Sequence, residues 1–116
     1  MKQLNPEDDF NSRLEEVLDC ELFKTLSEPV RCRILRILAT EGPLDVGGVA
    51  ARFEQDRSVI SRHLALMADA GVLLTEKQAR SRMYYMNGSG FLEKLEKMTE
   101  TVRYLLLCRC DALGKG

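Results

Sequence analysis

Apolar residues recur at helical spacing along five stretches of this chain, and two short β-prone runs interrupt them once. Over residues 11–26, Leu14, Val17, Leu18, Leu22 and Leu26 fall on one helical stripe. Glu28-Pro29 ends that pattern. Pro29 suits the first position of a new helix, where its missing N–H has no partner to lose and its φ is already helical. The second helix spans 29–40, with Val30, Ile34, Leu35, Ile37 and Leu38 as its buried stripe, and Gly42-Pro43 stops it.

Asp45 is placed to cap a third helix over 46–53, which turns Val46, Val49, Ala50 and Phe53 inward. Gly47-Gly48 weakens that helix by roughly 1 kcal/mol per glycine. The pair therefore points to close packing against a neighbour. Asp56 is placed to cap a fourth helix over 57–70, with Ile60, Leu64, Met67 and Ala68 on its inner side, and Gly71 suits the left-handed position that closes a helix. Val72–Glu76 and Met83–Met86 then flank the polar run Lys77-Gln78-Ala79-Arg80-Ser81-Arg82, which predicts a hairpin with a basic tip. Asn87-Gly88-Ser89-Gly90 breaks the chain. A last helix over 91–110 carries Phe91, Leu92, Leu95, Met98, Val102, Leu105 and Leu106 on a wide apolar face.

The fold class read from this order is mainly α with a small β-hairpin: a winged helix-turn-helix of five helices plus a wing. The tandem is formed by the third and fourth helices, joined by a tight turn at Glu54-Gln55. The expected organisation is a flexible acidic segment at 1–10, one DNA-binding and dimerisation domain at 11–110, and a frayed end at 111–116. The first and last helices are more broadly apolar than a domain of 116 residues needs for its own core. They either carry a dimer interface or simply cover the core.

Composition narrows the function. Hydrophobic residues make up 45% and charged residues 30%, an ordinary globular balance. No apolar stretch reaches the roughly 18 residues of a membrane span, and Met1–Phe10 lacks the apolar core of a signal peptide, so the expected location is the cytoplasm. The net charge of −1 gives no basic footprint as a whole. Its distribution does, because residues 52–82 carry Arg52, Arg57, Arg62, Lys77, Arg80 and Arg82 against Glu54, Asp56, Asp69 and Glu76. No phosphate-binding glycine loop and no nucleophile–base set is present, and one histidine with scattered carboxylates does not make a catalytic site, so the chain does not read as an enzyme.

In a helix-turn-helix the second helix enters the major groove, with its N-terminal residues at base edges. Here Arg57, Ser58, Ser61 and Arg62 lie opposite Ile60 and Leu64. Arginine can take two acceptors of a guanine edge or a phosphate, and serine hydroxyls take phosphates. Lys77, Arg80 and Arg82 on the hairpin can reach the adjacent backbone or minor groove. Singly, each of these is also an ordinary surface residue; their placement together carries the reading. His63, the sole histidine, either touches a phosphate or packs at the helix edge. A winged-helix module that binds protein is the rival, separated by binding to a palindromic duplex.

Several of these runs resemble the ArsR/SmtB family. Leu26–Leu35 resembles its L-x-[DN]-P-x-R-L-x-I-L opening, Ser58–Leu64 through Leu73 its S-x-[VL]-S-x-H-L…A-G-L-V recognition helix, and Arg80–Tyr85 its G-R-x-x-Y-Y wing. The resemblance covers about residues 15–108. It implies a homodimer with interdigitated first and last helices, bound to double-stranded operator DNA and released by an effector. By position it implies Ser58, Ser61, Arg62 and His63 as groove or phosphate contacts, with Arg80 and Arg82 on the wing.

The family's arsenic sensors carry E-L-C-V-C-D-L at the third helix, where this chain has Pro43-Leu44-Asp45-Val46-Gly47-Gly48-Val49 and no cysteine. Its zinc sensors use histidines on the last helix, and residues 91–110 contain none. The four cysteines are the remaining sensing candidates. Cys20, Cys108 and Cys110 could hold a soft metal or metalloid ion such as arsenite across a dimer, although residues two apart on a helix point about 200° apart. Cys32 is either a small buried hydrophobe or, as in relatives that sense oxidants or persulfides, half of a redox pair with Cys108 or Cys110. A family repressor with no thiol sensing is the remaining alternative.

Overall fold

A computed structural model describes residues 6–18 and 21–113. Its element order is α1 (Pro6–Leu18), α2 (Glu21–Thr25), α3 (Pro29–Glu41), α4 (Val46–Ala50), α5 (Arg57–Asp69), β1 (Leu73–Gln78), β2 (Ser81–Met86) and α6 (Gly88–Leu113). The helix expected over 11–26 is thus described as two pieces. Its first piece starts at Pro6, earlier than the acidic composition suggested. Residues 19–20, including Cys20, lie outside the described residues.

Local chemistry sets the helix ends. Glu28 is extended (φ −90°, ψ 122°), as the residue before Pro29 must be to avoid the proline ring, and α3 begins directly after it. At its other end Gly42 takes φ 85° and returns its N–H to the Leu38 carbonyl. The Asp45 carboxylate caps α4 by accepting the Gly48 N–H at 2.8 Å. α4 is only five residues long, shorter than expected, because Arg52 and Phe53 close the turn with three-residue bonds to Val49 and Ala50. Asp56 occupies the cap position of α5 but makes no side-chain capping bond. The end of α5 is a Schellman closure. Gly71 (φ 80°) donates to Ala68, and Val72 donates to Met67.

The described residues pack as two compact units, one of residues 21–91 and one of residues up to 20 together with 92–116. In the first, Leu22, Ile34, Leu35, Leu38, Val49, Ile60, Leu64, Met67, Val72 and Leu73 form the core. The antiparallel hairpin β1–β2 runs in register from Leu73 opposite Met86 to Gln78 opposite Ser81. Tyr84 adds a third rung outside it, exchanging both backbone bonds with Leu44 at 3.1 and 2.8 Å. That bridge holds the base of the hairpin to the segment leading into α4. In the second unit the Arg13 guanidinium lies 4.5 Å from the centre of the Tyr104 ring, Lys97 pairs with Glu16 at 3.7 Å, and Thr101 is buried. Leu92, Leu95, Val102 and Leu106 of α6 are left 41–58% exposed.

Candidate nucleic-acid interface

α5 is amphipathic in the plain sense: Ile60, Leu64 and Met67 have no exposed surface. The positions two residues before and two residues after Ile60 lie about 200° round the helix and turn outward. Arg57, Ser58 and Arg62 are exposed, whereas Ser61 and His63 are half-buried at the shoulders of the helix. The Arg57 side chain passes alongside Gly47. A Cβ added at Gly47 would lie 3.4 Å from its Nη1, so Gly47 makes room for the start of α5, whereas Gly48 packs against Asp45 and Leu44 before α4.

The turn before α5 is fixed by charge. Arg52 pairs with Glu41 and donates to the Gly48 carbonyl, which ties the end of α3 to α4. Arg33 lies 4.7 Å over the Phe53 ring and donates to the Arg52 carbonyl. In the sequence Arg52 reads only as charge, and Arg33 has no assigned role. Their role in rigidifying the tandem has no one-dimensional signature, since Arg33 and Arg52 are 19 residues apart.

The hairpin tip carries Lys77, Arg80 and Arg82, all exposed. Lys77 sits directly opposite Arg82 in the strand register. Like charges so placed repel, and the arrangement becomes favourable only beside an anion. Among the described residues, Arg57, Arg62, Lys77, Arg80 and Arg82 form no ion pair within the chain. Charge is also divided between the units. Residues 21–91 carry ten Lys and Arg against eight Asp and Glu, and the rest of the chain carries seven against ten.

His63 accepts a hydrogen bond at Nδ1 from Arg31 Nε, 3.1 Å away on α3. Partial burial lowers its pKa below the ordinary imidazole value. Arg31 lowers it further, Glu28 opposes the shift and Arg62 adds to it.

The helix-turn-helix domain family matches residues 26–76. Over 66 residues the chain is 30% identical to an uncharacterized HTH-type transcriptional regulator of Methanocaldococcus jannaschii, spanning 57% of this chain and 74% of that protein. Over 64 residues it is 38% identical to the arsenical resistance operon repressor of Escherichia coli (strain K12), spanning 55% of each. The chain belongs to the ArsR/SmtB family of winged helix-turn-helix transcriptional regulators. An ArsR-like transcriptional regulator from Rhodococcus has the same fold, with a TM-score of 0.72 over 87% of this chain and 90% of that one at 24% identity. ArsR/SmtB proteins regulate transcription and are not enzymes. The matched stretch spans just over half the length of the E. coli repressor.

The cysteines considered as sensing candidates are described only in part. Cys32 on α3 is exposed, not buried in the core, with its thiol 3.1 Å from the Leu26 carbonyl. Cys108 on α6 is also exposed, and its thiol is the main influence that raises the pKa of the Tyr104 phenol one turn back. Cys20 and the Cys110 side chain lie outside what is described. Among the described residues no three of His, Cys, Asp or Glu converge on a site that could hold a metal ion. No described helix is long and apolar enough to cross a membrane.

Proposed function

We propose that the chain is a homodimeric, sequence-specific repressor that binds a two-fold symmetric operator. α5 of each copy lies in a major groove, and the β1–β2 hairpin lies on the adjacent backbone or minor groove. The observation that carries this reading is the two-sided character of α5: Ile60, Leu64 and Met67 fully buried, with Arg57, Ser58 and Arg62 outward and exposed. In this reading Arg62 and Arg57 take guanine edges or phosphates, Ser58 and Ser61 take phosphates, His63 donates at the shoulder, and Lys77, Arg80 and Arg82 hold the backbone.

Dimerisation is supported by α6. Leu92, Leu95, Val102 and Leu106 are spaced three, seven and four residues apart, which keeps them on one seam of the helix, and all are exposed. Such a stripe is costly to leave in water and suits a second copy of the same helix. A soluble protein of this family working in the cytoplasm fits the same reading.

The operator is released, in this proposal, when an inducer acts on cysteine thiols. The supporting observation is that Cys32 and Cys108 are exposed. The stretch matching the family's arsenic motif holds no cysteine. The described residues do not assemble a metal site, so the proposal rests on thiol reactivity.

Selection of bound duplexes from a random pool tests the DNA reading. Half-sites about one helical turn, roughly 34 Å, apart are expected. Enrichment of no sequence would overturn it. For the inducer, arsenite, cadmium, persulfide and peroxide are each applied to the wild-type complex and to Cys32→Ser and the double variant Cys108→Ser/Cys110→Ser. Loss of release with operator binding intact supports thiol sensing. Release of every variant by the effective agent refutes it.

A further inference from the structure

Arg31 faces two ways from the first turn of α3. Its Nε–H donates to His63 Nδ1 at 3.1 Å, and its Nη1–H donates to the Thr25 carbonyl, also at 3.1 Å. A guanidinium has donors only and keeps its proton. Nδ1 must therefore be the nitrogen with the lone pair, and the proton of the neutral ring sits on Nε2. Nε2 makes no bond among the described residues, and it is not among the buried unpartnered atoms, of which Thr25 Oγ1 is the example. It is therefore not fully buried.

We propose that Arg31 is a positioning residue for DNA recognition, fixing His63 as a neutral imidazole so that α5 presents Nε2–H as a donor of constant orientation and charge. This rests on the DNA reading of α5 given above. The anchor is backbone, since the other end of the guanidinium is tied to Thr25 at the close of α2. Three charges face the ring: Arg31 from α3, Glu28 from its cap, and Arg62 from α5 itself. Two cations against one carboxylate disfavour a protonated ring, and partial burial acts in the same direction. A protonated ring would also have no lone pair to offer Arg31. The clamp and the neutral state therefore support each other, which makes the contact with DNA less sensitive to pH.

The chain has one histidine, so the ring nitrogens of the untagged protein give one unambiguous set of NMR signals. The expected result in the free wild-type chain is the Nε2–H tautomer with a titration midpoint below the ordinary imidazole value. The Nδ1–H tautomer, or an unshifted midpoint, would overturn the inference without any variant having to fold. On duplex DNA, Arg31→Met is expected to weaken binding about five-fold, the size of one ordinary hydrogen bond. In a His63→Ala background it should change binding little, because the two residues act as one unit. Affinity of Arg31→Met should depend on pH more steeply between roughly pH 6 and 8 than that of the wild type, because one of the influences holding the ring neutral is gone. A duplex-binding chain in which the two substitutions are additive would overturn the positioning role alone. A wild-type chain that binds no duplex would overturn the DNA reading and this role with it.

Discussion

Asn87 donates its side-chain amide to the Gly71 carbonyl at 2.9 Å, joining the end of α5 to the start of α6. Its Oδ1 accepts the Gly90 N–H at 3.1 Å, and its backbone N–H reaches Val72 at 3.0 Å. Turning the amide over would face like groups to each other at both ends, so the network fixes its orientation. Asn87 is thus both the cap of α6 and a strap across the base of the hairpin. Asn87→Ala is expected to lower unfolding stability by about 1–2 kcal/mol. Asn87→Asp, which keeps the cap and loses the strap, should lie between the two in urea unfolding. Equal stability of all three would show that neither bond matters.

The hairpin turn holds a second test. Ala79 sits at φ 53° between Gln78 and Ser81, and it is the one non-glycine residue with positive φ among those described. A turn with positive φ at its first central position favours glycine there. Ala79→Gly should raise stability by a few tenths to about 1 kcal/mol, since relief of left-handed strain of about 1 kcal/mol exceeds the added unfolded-state entropy. Gly71→Ala should do the opposite by about 1 kcal/mol. No atom lies within 4 Å of the added methyl, so the whole effect comes from φ 80°. Thermal unfolding of both variants reads the two signs.

Much of this was legible in one dimension, and the misses share a cause. The stripe Ile60, Leu64, Met67 located α5, and Asp45 and Gly71 marked real helix ends, because those signals lie within a few residues of what they control. Asn87 was read only as part of a breaker. Its three partners are the Gly90 N–H and the Gly71 and Val72 carbonyls, and two of the three lie 15 or more residues away in sequence. The Leu44–Tyr84 rung joins residues 40 apart, and Arg31–His63 joins residues 32 apart. Neither pair has a periodicity to announce it. Cys32 was open between core and sensor; its exposure follows from lying off the Ile34–Leu38 stripe, toward the Leu26 carbonyl.

The lowered pKa of His63 fixes a sign for stability against pH. The ring binds a proton less readily folded than unfolded, so between its folded midpoint and the ordinary value near 6.5 the unfolded chain holds more protons. This contribution therefore leaves stability intact above about pH 6.5 and erodes it as pH falls toward the folded midpoint. Chemical denaturation at stepped pH should show that decline in the wild type, and His63→Gln should flatten it. A wild-type profile parallel to that of the variant would contradict the assignment.

The exposed seam on α6 makes a prediction about assembly. Leu106 is 58% exposed and aligned with Leu92, Leu95 and Val102. Leu106→Glu should leave residues 21–91 folded and shift sedimentation from dimer toward monomer, because a carboxylate buried at a helix seam costs several kcal/mol unless it is paired. A wild-type chain that sediments as a monomer would remove the seam's proposed occupant.

The most direct test of the account is operator affinity measured against salt for the wild type, Arg57→Ala and Arg62→Ala. The account predicts a steep fall with salt. It predicts a loss of about 1–3 kcal/mol for whichever arginine reads a base edge, or a slope shallower by about 0.9 for one that holds a phosphate. Affinity and slope unchanged in both variants would contradict the claim that this face of α5 meets DNA.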